Sequence, residues 1–71
     1  MKIEVKTGVL ARKLGKDFKD EGFIPLQAGI YEISGPEEHG YLAVRISADL
    51  TGFIHVEKLE EFVKQQLVVV G

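Results

Sequence analysis

The stretch Gly40-Tyr41-Leu42-Ala43-Val44-Arg45-Ile46-Ser47-Ala48-Asp49-Leu50-Thr51-Gly52-Phe53-Ile54-His55-Val56-Glu57-Lys58-Leu59 decides the fold. Tyr41 to Ser47 is rich in residues that suit a pleated, half-buried surface and predicts a strand. Ala48-Asp49-Leu50-Thr51-Gly52 carries the turn signals of a hairpin, and Phe53 to Val56 predicts the returning strand. In that strand His55 sits between Ile54 and Val56. If those two point inward, alternation turns His55 to the surface.

Outward from this hairpin the pattern continues in both directions. On the C-terminal side the period changes at Glu57. Leu59, Phe62 and Val63 fall at helical spacing, with Lys58, Glu60, Glu61 and Lys64 on the other face, which predicts a short amphipathic helix. Leu67-Val68-Val69-Val70 predicts a last strand, either paired with the N-terminal strand or sharing an edge with a second copy. On the N-terminal side Ser34-Gly35-Pro36-Glu37-Glu38-His39-Gly40 is a polar loop punctuated by Gly and Pro. Ile30 to Ile33 predicts a strand, entered through a turn at Gln27-Ala28-Gly29. Pro25 lacks an N–H, so Phe23 to Leu26 is expected at an edge. Arg12 to Gly22 is polar, with only Leu14 and Phe18 large and apolar, and is expected to be a long irregular hairpin loop. Ile3 and Val5 alternate with Lys2, Glu4 and Lys6 as a half-buried strand should. Gly8 then predicts a bulge or bend before Val9-Leu10-Ala11.

Seventy-one residues make a single domain, 1–71. A chain of this size buries only about 60% of its unfolded surface. With no cysteine it has neither disulfides nor a thiolate nucleophile to draw on. No apolar run reaches the roughly 20 residues that span a bilayer, and the N-terminus lacks a signal-peptide pattern. A cytoplasmic protein without a membrane partner is expected. The expected core is Leu10, Ile24, Leu26, Ile30, Ile33, Leu42, Val44, Ile54, Val56, Leu59 and Val69, with Phe53 or Phe62 adding a ring.

The element order is similar to that of the SH3 family. Ile24-Pro25-Leu26-Gln27-Ala28-Gly29 resembles the return from that family's RT loop. Tyr41-Leu42-Ala43 resembles the segment after its n-Src loop, and Gly52-Phe53-Ile54 its Gly-aromatic-aliphatic step. The resemblance implies a mainly-β fold, a small SH3-like β-barrel with a short C-terminal helix and terminal strand. It does not imply proline-rich peptide recognition. Leu10-Ala11, Gly40, His55 and Lys58 stand where the family places the aromatic and proline residues of its ligand floor, and the chain has no Trp.

Catalytic motifs are lacking. Ser34 and Ser47 have no base nearby in sequence, and no glycine-rich segment ends as a phosphate loop does. Glu37, Glu38 and His39 form at most a solvated loop cluster, so no metal or other cofactor is expected. Charge is uneven. Residues 1–20 hold six basic and three acidic groups, a net of +3, and the remainder three basic and eight acidic, a net of −5. These features point to a non-catalytic protein–protein interaction module, an adaptor, an inhibitor or a subunit of a larger complex, as monomer or homodimer. The contact residues expected are Arg12, Lys13, Lys16, Phe18 and Lys19 in the charged loop, with Tyr31, Tyr41 and His55. The alternative is nucleic-acid binding through the same basic loop 12–22, against which the net charge of −2 weighs.

Overall fold

The computed structural model describes residues 1–71, the side chain of Glu38 excepted. Seven strands form one antiparallel sheet: β1 (Lys2–Val5), β2 (Val9–Leu14), β3 (Asp20–Leu26), β4 (Gly29–Ser34), β5 (Tyr41–Ser47), β6 (Leu50–His55) and β7 (Val68–Val70). Helix α1 (Val56–Lys64) joins β6 to β7. The hydrogen-bonded order is β3-β2-β6-β5-β4-β1-β7. The two outer strands are not paired with each other, so the architecture is an open, mainly-β sheet with a C-terminal helix rather than a closed ring of strands. Among the described residues no helix is long and apolar enough to cross a membrane.

Alternation explains the core. Ile3, Val5, Val9, Ala11, Leu26, Ile33, Leu42, Val44, Ile54 and Val68 point to one face, and Leu59 and Phe62 of α1 cover it. Facing pairs such as Val9 with Leu26, Ile33 with Val44 and Leu42 with Ile54 set the register. Burying that apolar face is the main term that holds so small a sheet together. Gly52 is buried where β6 passes β2: a Cβ there would stand 3.1 Å from Ala11 Cβ and 3.0 Å from Ile46 Cδ1. A side chain there would press on both neighbours, and glycine avoids that.

Three expected core residues lie on the outer face instead. Leu10 is 54% exposed, Ile30 71% and Val69 45%. Each is one residue from a buried or core-packed neighbour, and a strand cannot turn both inward. In Val9-Leu10-Ala11 the small Ala11 is the residue that fits beside Gly52. At β4 it is Ile33 and Tyr31 that turn inward, leaving Ile30 out. Ile24 and Val56 are half-buried. Ile3, Val5, Val9, Ala11 and Val68 are core residues outside the expected set.

Boundaries also move. The expected irregular loop at 12–22 is largely regular: β2 continues to Leu14 and β3 begins at Asp20, with a register shift between Arg12 and Leu14. Gly8 lies in the link between β1 and β2, not within a strand. The β5–β6 turn is only Ala48-Asp49. The C-terminal strand pairs within the chain, Ile3 with Val70, Glu4 with Val69 and Val5 with Val68. Strand β3, with Pro25, is an edge, as its missing N–H predicts.

Candidate functional site: a ring-lined groove

The tip of the β2–β3 hairpin is a tight turn. Lys19 N donates to Lys16 O at 3.1 Å, and Gly15 N donates to Lys19 O at 2.8 Å. Its central residues, Asp17 and Phe18, have φ of 58° and 57°. This double left-handed pattern is the one that Asn-Gly usually fills. For Phe it carries a steric cost of about 1–2 kcal/mol. Neighbouring contacts must therefore hold it in place.

Those contacts are rings. Phe18 lies nearly parallel to Tyr41, with centroids 6.1 Å apart and 13° between planes. It meets Phe53 edge-on at 6.0 Å and His39 edge-on at 5.3 Å. His39, in the β4–β5 loop, also has a positive φ, 63°. Two loop tips thus hold strained residues against one another across the same end of the sheet.

Tyr41 and His55 are cross-strand partners, with rings perpendicular at 5.2 Å. Phe53 is two residues before His55, on the same outer face. Beside it on β2 is Arg12, which pairs in register with Phe53. The Arg12 guanidinium donates to Asp20 Oδ2 at 2.6 Å and lies 5.3 Å over the Phe23 ring. Between this face and α1 runs an open groove of about 850 Å³. Leu10, Arg12 and Phe23 form one side, Tyr41, Phe53 and His55 the floor, and Glu57, Lys58 and Glu61 the other side. His55 Nδ1 also accepts from Glu57 N at 3.2 Å and so caps the first turn of α1. Among the described residues no three His, Cys, Asp or Glu side chains gather as a metal site.

Of the residues expected at a contact surface, Arg12, Phe18, Tyr41 and His55 come together here. Lys13, Lys16 and Lys19 are exposed along the hairpin that carries Phe18. Tyr31 stands apart: it packs against the core, and its hydroxyl donates to Gln27 O at 2.8 Å. Sequence reasoning missed Phe53, Phe23, Leu10, His39 and the carboxylates of α1 as parts of this surface. For Phe53 the signal existed, because the alternation that turns His55 outward turns Phe53 outward too. Phe18 reaching back over the sheet had no such signal, since it depends on the tip's left-handed turn.

Comparison with protein-family models, with curated proteins and with solved structures finds no match to this chain.

Proposed function

We propose that the chain is a small, non-catalytic protein-interaction module of SH3-like build that receives a segment of another protein in the groove between the β2–β6–β5 face and α1. One observation carries the reading: Tyr41, Phe53 and His55, from two strands, line the groove, and Phe18, from a loop tip, packs on Tyr41 and Phe53 beside it, all four rings half-buried. Aromatic side chains offer large contact area at small entropic cost, which is why they anchor protein interfaces. The β4–β5–β6 meander, the helix after it and the return of β7 beside β1 support the SH3-like reading. On that reading Leu10, His55 and Lys58, which line the groove, stand at places where the family binds its ligands, with His55 and Lys58 in place of proline and tyrosine.

The second reading, a nucleic-acid-binding module, rests on exposed Lys13, Lys16 and Lys19 beside the Phe18 ring. Glu57 and Glu61 on the groove wall weigh against it, because they repel phosphate. Capture of proteins by the tagged chain, with Phe53→Ala and the triple Lys→Glu hairpin variant as controls, separates the two. The interaction reading expects Phe53→Ala to lose the captured protein and the hairpin variant to retain it. Binding to an oligonucleotide with a steep salt dependence, lost on changing the lysines, would replace it with the second.

A further inference from the structure

We infer that the groove selects a basic, amphipathic segment: an apolar side chain seated on Tyr41 and Phe53, flanked by a lysine or arginine directed at Glu57. This rests on the interaction reading above and adds the chemistry of the partner.

Two cations line the groove, and both are already occupied. Arg12 is paired with Asp20 at 2.6 Å. Lys58 is paired with Glu61 at 3.2 Å, and its ammonium lies 5.5 Å from the Phe62 ring centre. Among the described residues Glu57 has no ion-pair partner. The charges that line the groove balance, Arg12 and Lys58 against Glu57 and Glu61, and with Arg12 held by Asp20 and Lys58 by Glu61 the one left over is Glu57. An anionic segment would find every groove cation engaged and a free carboxylate facing it. A cationic one finds that carboxylate, and beside it the faces of aromatic rings, which attract ammonium and guanidinium groups.

Geometry fixes the pattern of the segment. Glu57 and Glu61 are four residues apart on α1 and so share one helical face. They stand on the wall, while the apolar contact lies on the floor. A segment must therefore present its apolar and basic side chains to two adjoining surfaces. Because the Glu57 carboxylate is solvated, its pairing adds little affinity; it discriminates between partners. Affinity comes mainly from the anchor on the rings.

The test is selection of a displayed library of short random peptides on the immobilised chain, with Phe53→Ala and Tyr41→Leu as counter-selection. The enriched peptide is then titrated into the wild type, Glu57→Gln and Glu57→Lys, with amide shifts recorded. Enrichment of Lys or Arg next to an apolar residue is expected, with shifts over residues 53–61. Glu57→Gln should weaken binding about 3–10-fold and Glu57→Lys more, with the difference shrinking in high salt. An acidic consensus, a proline-rich consensus without basic residues, or equal binding to Glu57→Lys overturns the charge inference while leaving the groove in use. No enrichment, or peptides that bind both floor variants as well as the wild type, overturns the groove reading itself.

Discussion

Phe18 lies almost parallel to Tyr41, 6.1 Å away, although its own backbone sits at φ 57°, where a phenylalanine is strained. Ring contact and backbone strain oppose each other at one residue, and substitutions can separate them. Phe18→Ala removes the ring and keeps the strain. Phe18→Gly removes both, since Gly adopts positive φ without penalty. Phe18→Gly is therefore expected to be more stable than Phe18→Ala, by about 1 kcal/mol. Urea midpoints at equal slope measure this; an Ala variant as stable as the Gly variant would show that the turn is not held in the left-handed region.

A second test concerns the crossing of β2 and β6. Gly52→Ala places a methyl 3.1 Å from Ala11 Cβ and 3.0 Å from Ile46 Cδ1. Overpacking of this kind costs roughly 1–3 kcal/mol. Ala11→Gly in the same chain should recover part of the loss, because the two sites share one space. Thermal unfolding of the single and double variants checks both statements, and strict additivity would contradict the shared contact.

Most of the strands and the helix were legible because they rest on a local periodicity, whereas the ends of β2 and β3 at 12–14 and 20–22 were expected as loop. Tyr41–Ser47 was read with its observed ends, and α1 within one residue at its start. The face of a strand was harder wherever apolar residues adjoin or stand an odd number apart. Ile30 and Ile33 cannot share a face of β4, and only contact with β1 and β5 decides which is inside. The same holds for Val9-Leu10-Ala11, where tight packing against Gly52 selects Ala11. Sheet closure was not legible either, since it depends on pairing between strands far apart in the chain. At the groove, Tyr41 and His55 followed from alternation. The approach of Phe18 and His39 did not, because positive φ at a non-glycine residue leaves no mark in sequence.

The helix cap makes a third prediction. His55 Nδ1 accepts the Glu57 amide at 3.2 Å, so His55→Ala leaves that donor without its partner. The expected cost is about 1 kcal/mol. His55→Asn restores an acceptor at this position and should recover most of it, although the ring contact with Tyr41 is lost. Circular dichroism and urea unfolding provide the comparison. Equal destabilisation by Ala and Asn would mean that the ring, not the cap, is what His55 contributes.

The terminal strand gives the last. Val68 is 1% exposed and pairs with Val5, while its neighbour Val69 is 45% exposed and pairs with Glu4 on the outer face. Gly71 N donates to Lys2 O at 3.1 Å, extending the ladder to the chain end. The strand is thus a functioning edge of the sheet with one side chain in the core. Val68→Ala should cost about 1–3 kcal/mol through lost burial and an unfilled space. Val69→Lys should change stability by less than about 0.5 kcal/mol, since it alters an exposed position. Deleting residues 67–71 removes one of the two partners of β1 and takes Val68 out of the core beside Ile3 and Val5, and cooperative unfolding should be lost. If β7 instead served to join two copies, the truncated chain would stay folded and sediment at half the mass of the intact protein. Loss of cooperativity, together with the contrast between Val68 and Val69, is what pairing within one chain requires.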